Sequence, residues 1–429
     1  MAESIMVACD LHDRTMALLM AQGRGAAEKL SLPNTKAGRQ KLLKLLRTRS
    51  HAAGGAQVIF AYEASGLGFG LHDELTAAGF ACYVLAPTKI ARSSQQKRNK
   101  TDEKDAALIL QLLRGHVLAG NALPKVWVPK PATRDDRELV RARLDLADKL
   151  SSVKTQVRCL LKRWSVVRPP ATGKGWTNLY LAWLRGLTKG KPLSVGARQT
   201  LESLLRQLTF LQEEELRLDE ALGRLILDPR YVDSFYALTK LSGVGVLTAL
   251  VFLTEMGSLW RFRNRRQVGA YLGLVPVARE SGEQSNRKGH ITRQGPSHVR
   301  RVLCQAVWAR VRSDKEDSSD VLAYQRIVAK NPQHKKIAVV AVMRRLAVRM
   351  WHCGRNATLA AARRRAQSSL GPGLRSGLPL PACGSRPPEG NTPPPRQRRT
   401  KSPAGDRPPS APSLGPQRSL RPAAPAPAK

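Results

Sequence analysis

Residues 57–63 read QVIFAYE, an apolar run of buried-strand character preceded by the Gly54-Gly55 breaker and closed by a carboxylate, Glu63. A run of that length between breakers suits a buried strand. Working outward, residues 4–10 (SIMVACD) form a second apolar run that also ends on an acid, Asp10. The LHDR segment then turns the chain, and residues 15–21 are expected to return as a strand. Residues 80–85 (FACYVL) give a further strand, closed by Pro87. Helices fit between these runs at 37–49 and 68–78, and residues 102–113 carry apolar side chains at helical spacing. Strands alternating with helices predict an α/β domain over residues 1–125.

The middle of the chain has a different rhythm. Leu146, Leu150, Val153, Val157 and Leu160 follow heptad a/d spacing. Leu201, Leu204, Leu208, Leu211, Leu218, Leu222 and Leu225 keep the same rhythm, with Glu215 in one seam position. Residues 126–232 are therefore expected to form a helical linker around a Gly/Pro-bearing stretch at 168–192, either a coiled-coil arm or an antiparallel pair, and two helices of an ordinary bundle fit the spacing equally well. Its seam is a candidate for self-association. Residues 233–355 predict a second compact, mainly α unit. In it, LSGVGVLTA (241–249) carries Gly243 and Gly245 in a helix-hairpin-helix-like turn whose backbone amides could approach a phosphate. A plain helix-helix turn explains the same residues.

From residue 356 to 429 the composition predicts a disordered Pro/Arg-rich tail. Sixteen of the 28 prolines lie beyond Ala366, and no aromatic residue follows Trp351. Such a segment cannot bury enough apolar surface to offset its ordering entropy.

The chain has 429 residues and a formal charge of +40. The segment from Ala366 onward contributes ten basic and two acidic residues, so +32 belongs to the part expected to fold. A field of that sign draws in polyanions, and the partner it favours is nucleic acid, bound with strong salt dependence. No stretch approaches the roughly 20 apolar residues of a membrane span, and the N-terminus lacks the form of a signal peptide. The six cysteines never form a CxxC pair, so neither a disulfide framework nor a zinc site is indicated. A reduced, cytoplasmic setting is expected.

Two strand ends carrying Asp10 and Glu63 are the type of position from which carboxylates hold hard cations. Asp102 and Asp105, three apart in KTDEKDA, share one face of the helix they begin. Singly, each has a bland explanation: acidic residues favour helix starts and turns. Together with their surroundings they carry more. The segments VACDLHDRTMAL, YEASGLGFGLHDELTAAGF and VLAPTKIARSSQQKRNKTDEKDAALI closely resemble the RuvC-like DEDD domain of insertion-sequence family 110 transposases. That resemblance implies an RNase H-like fold whose metal ligands are Asp10, Glu63, Asp102 and Asp105, binding Mg²⁺ or Mn²⁺.

A second block, FRNRRQVGAYLGLVPVARESGEQSNRKGHITRQGPSHVRRVL, resembles the C-terminal transposase domain of the same family. The resemblance implies a serine nucleophile that links covalently to DNA; the matching residue is Ser281, with Ser285 as the alternative. A serine in a Gly-rich loop is otherwise an ordinary turn residue. Arg287, Lys288, Arg293, Arg300 and Arg301 around this block, and Lys97, Arg98 and Lys100 before Asp102, are candidate phosphate contacts. Tyr271 could stack on a base, although core packing is its default. Ser242 stands where many relatives have proline.

The function expected is therefore that of an insertion-sequence DNA transposase or recombinase in a bacterial cytoplasm, associated with the nucleoid. The family implies a structured non-coding guide RNA and a dimer or tetramer. Two alternatives stand beside it: a DEDD nuclease or junction resolvase that only hydrolyses, and a non-catalytic nucleic-acid-binding protein.

Overall fold

The computed structural model describes residues 3–90, 102–278, 288–313, 319–330 and 332–369. Strands β1 (Ile5–Leu11), β2 (Thr15–Gln22), β3 (Glu28–Pro33), β4 (Val58–Glu63) and β5 (Ala81–Leu85) form one sheet in the order β3-β2-β1-β4-β5. The first three are an antiparallel meander, and β1, β4 and β5 are parallel. Helix α1 (Lys36–Ala52) crosses from β3 to β4, and α2 (Gly70–Ala77) from β4 to β5. The side chain of Thr35 caps α1 by accepting from Gly38 N at 3.1 Å.

Alternation divides the sheet residues into two cores. Val7, Cys9, Leu11, Phe60 and Tyr62 pack with Leu42, Leu46, Leu71 and Leu75 of α1 and α2. Met6, Ala8, Ile59 and Ala61 pack on the other face with Ile109, Leu110 and Leu113 of α3 (Asp102–Ala119). The predicted strands and helices are all present. β3 is an addition, and α3 runs six residues further than the sequence indicated.

Helix α4 (Pro131–Arg163), with proline in its first turn, pairs with α6 (Val195–Ile226), whose N-cap Ser194 accepts from Ala197 N at 3.3 Å. Arg143, near the start of α4, bridges Glu215 at 2.6 Å and Asp219 at 2.7 Å toward the end of α6, so the two run antiparallel. Between them α5 (Asn178–Leu187) occupies part of the stretch read as a Gly/Pro separator. Leu146, Leu150, Val153, Val157 and Leu160 are buried with Leu201, Leu204 and Leu208 and with Tyr180 and Leu184 of α5. The seam offered for self-association is thus filled by the chain's own helices.

The other end of the hairpin enters a separate core. Val140 and Leu144 of α4 and Leu222 and Leu225 of α6 join α7 (Val232–Thr239), α8 (Val246–Met256), α9 (Arg265–Tyr271), α10 (Ser297–Ser313) and α12 (Lys335–Ser369). Helix α8 is buried without a break from Ala249 to Met256, as a helix surrounded by others must be. The remaining elements are α11 (Ser319–Lys330) and a two-stranded ribbon, β6 (Pro276–Ala278) with β7 (Lys288–Ile291). Helix α12 passes straight through residue 356, where the sequence placed the start of the tail, and Ala361 is buried. The disorder expected beyond residue 369 lies outside the described residues.

Candidate functional site

In the parallel pairing of β1 with β4 the last matched pair is Cys9 with Tyr62, so Asp10 and Glu63 are the next residue on each strand. Parity puts Asp10 on the face of Met6 and Ala8, and Glu63 on the face of Ile59 and Ala61, which is the face covered by α3. Asp105 stands one turn before Ile109 on that helix and is itself buried. Asp102 is the first residue of α3. Three of the four predicted carboxylates thus share one side of the sheet. Among the described residues no group of three His, Cys, Asp or Glu is close enough to hold a metal ion. The side chain of Asp102, and Lys97, Arg98 and Lys100 before it, lie outside the described residues.

One neighbour of the site escaped the sequence: His12 Nε2 lies 3.2 Å from Asp10 Oδ2. It stands just past the end of β1, in the turn to β2, two residues after Asp10. Beneath, burial pushes the Cys9 thiol above its ordinary range, and the charge of Asp10 adds to the effect.

The donor set fits a hard divalent cation. All four predicted ligands are carboxylates, and three sit on rigid elements at one face, where the one soft donor, Met6, is fully buried in the core.

Ser281, with Ser285 and Arg287, falls between β6 and β7, outside the described residues; Lys288 is placed by its backbone only. The base of the ribbon is fixed. Gly295 has φ +91°, and a Cβ there would fall 1.8 Å from Tyr271 O, so only glycine allows the approach. Arg300 donates to Leu272 O at 3.2 Å and Gly295 O at 3.0 Å, which ties the same corner together. Arg301 forms a two-pronged pair with Asp148 of α4. Arg300 and Arg301, expected as phosphate contacts, therefore have protein partners. Arg293 is exposed in the turn after β7 at φ +54°.

Gly243 also has a packing role. At φ +74°, a Cβ on it would meet Ala306 O at 2.5 Å, so this glycine lets the α7-α8 turn press on α10. Gly245, the N-cap of α8, has open space where a Cβ would stand. Of the two, only Gly245 fits the predicted approach to a phosphate. Tyr271 is a structural residue whose hydroxyl donates to Glu255 O at 2.9 Å.

The α/β sheet with its strand-end acids is followed by a mainly helical unit, and the two halves are matched separately by transposase families. The family model described as Transposase, of the IS110 DEDD type, matches residues 7–165, and that described as Transposase IS116/IS110/IS902 family matches residues 236–322. The chain belongs to the IS110/IS116/IS902 family of transposases. It is 33% identical over 321 residues to a Sinorhizobium fredii protein named as a transposase, y4qE, covering 70% of this chain and 76% of that one. It is 24% identical over 315 residues to the transposase for insertion sequence element IS1533 of Leptospira borgpetersenii, covering 72% and 86%. DNA is accordingly the substrate, cut and rejoined. No described helix is long and apolar enough to cross a membrane.

Proposed function

We propose that this transposase cuts and rejoins DNA through a RuvC-like, RNase H-type carboxylate site working with a serine nucleophile. The observation that carries it is the adjacency of Asp10 and Glu63 at the ends of two parallel strands, beneath the helix that bears Asp105. The sheet order, an antiparallel meander extended by two parallel strands, supports the RNase H-like assignment. Asp10, Glu63, Asp102 and Asp105 would hold Mg²⁺ or Mn²⁺, which when bound supplies Lewis-acid stabilisation of charge at the phosphate.

Ser281 Oγ attacks the scissile phosphorus. The Oγ–P bond forms, the P–O bond to the leaving sugar breaks, and the serine proton is taken up from Oγ as the leaving oxygen gains one. Attack by an incoming sugar hydroxyl reverses the exchange and reseals a strand. A structured guide RNA and assembly as a dimer or tetramer complete the proposal, supported by the charge of +40 and by family membership.

The test is a denaturing gel of protein incubated with the element's DNA junction, its flanking RNA and Mg²⁺. A covalent protein–DNA adduct is expected in wild type and absent in Ser281→Ala and Asp10→Ala. Cleavage without adduct, kept in Ser281→Ala and lost in Asp10→Ala, would make the protein a hydrolytic nuclease. Undiminished recombination after deletion of the flanking non-coding segment would remove the guide RNA.

A further inference from the structure

A cleft of about 610 Å³ opens between α9 and α12, lined by Arg265, Arg266, Arg344, Arg345, Arg349 and His352. Two of its arginines are held by a buried acid: Asp320 of α11 takes Arg345 at 3.3 Å and Arg349 at 3.1 Å. Arg265, Arg266 and Arg344 have no ion-pair partner among the described residues. Neutralising Asp320 therefore leaves the cleft strongly positive. Five guanidinium groups lining one cleft focus a positive field there and raise the local concentration of anions.

The shape selects the anion. The lining side chains run along α12 from Arg344 to Asn356, about 18 Å at 1.5 Å per residue. That is the length of about five nucleotides of one strand at 3.4 Å each. A small phosphate would use one end of it; a polymer fills it. Guanidinium forks match phosphate oxygens in pairs.

We infer that the α9-α12 cleft binds the phosphodiester backbone of a nucleic acid, through Arg265, Arg266 and Arg344, as a surface separate from the carboxylate face. It rests on the transposase assignment only for the presence of a nucleic-acid partner.

The experiment measures full-length protein against a labelled duplex DNA and, separately, a labelled structured RNA, by fluorescence anisotropy over a range of salt. The variant Arg265→Ala/Arg266→Ala/Arg344→Ala is compared with Arg206→Ala/Arg217→Ala/Arg224→Ala, which removes three exposed arginines from α6. Thermal melting confirms folding, and Arg266→Ala alone, an exposed position, serves if the triple variant melts early. The cleft variant should lose on the order of tenfold in affinity at physiological salt, with a log–log salt slope shallower by about 2–3. The α6 variant should change little. Loss on the duplex alone assigns DNA to the cleft, and loss on the RNA alone assigns RNA. Equal losses in both variants, or none in the cleft variant, overturn the inference. Wild-type protein that binds neither probe would instead overturn the nucleic-acid function itself.

Discussion

Arg137, in the second turn of α4, donates to the main-chain carbonyl of Glu255 at 2.8 Å, across 118 positions of sequence. It also donates to Thr254 O at 2.8 Å, while Arg141 takes the Glu255 carboxylate at 2.8 Å. Arg261 stacks 4.3 Å over Trp127 nearby. The end of α8 is thereby fastened to the segment leading out of the α/β sheet, which couples the α/β domain to the mainly helical one.

Arg137→Ala should cost about 1–3 kcal/mol, because it leaves the buried Thr254 carbonyl without its side-chain donor, while Glu255 keeps Arg141 and the Tyr271 hydroxyl. Chemical denaturation measures it. Arg137→Lys restores the charge without the fork and should recover part of the loss. A change of less than 1 kcal/mol in the alanine variant would show that the clamp adds little to stability.

The two turn glycines should separate cleanly. Gly243→Ala forces a left-handed backbone and a clash with Ala306 O, costing about 1–3 kcal/mol from the backbone alone. Gly245→Ala should leave the melting temperature within a degree or two of wild type while weakening nucleic-acid binding. Unchanged binding in Gly245→Ala would reduce this turn to architecture.

Chelation should abolish strand cleavage, and Mg²⁺ or Mn²⁺ should restore it. Independently of turnover, Mg²⁺ should raise the melting temperature of wild type and not of Asp10→Asn or Glu63→Gln. A shift that persists in both variants would place the ion elsewhere.

Thiol chemistry gives a pH test of the sheet. Burial, reinforced by Asp73, pushes the Cys82 thiol up to about 12 from 9.0. A raised folded value means that the associated stability is intact below 9.0 and is lost as pH climbs toward 12. Iodoacetamide at pH 8 should therefore label exposed Cys159 and spare Cys82 until the protein unfolds. Early labelling of Cys82, read by peptide mass spectrometry, would contradict this placement.

The parts of the fold legible in the sequence were those whose signal is local. Residues 57–63 and 4–10 are buried strands and look like buried strands. β3 was missed because EKLSLP buries only Leu32 and takes its register from β2. Asp10 and Glu63 were identifiable as strand-end acids, but their adjacency depends on β1 pairing with β4 past two intervening strands. The basic residues were the hardest to assign. Nothing near Arg301 announces that its charge is taken by Asp148, 153 residues away. Gly243 likewise gave no local hint that its close approach is to α10.

The α4-α6 hairpin has one more consequence. Each helix is close to 50 Å long, at about 1.5 Å per residue, and each is planted in two separate hydrophobic cores, one at either end. A rod anchored twice behaves as a stiff lever. A push on the distal cluster around Tyr180 and Leu201 would reach the core around α8 as a tilt of α4 about the Arg137 clamp, so whatever grips that remote tip holds a handle on the orientation of the helices at the other end of the rod.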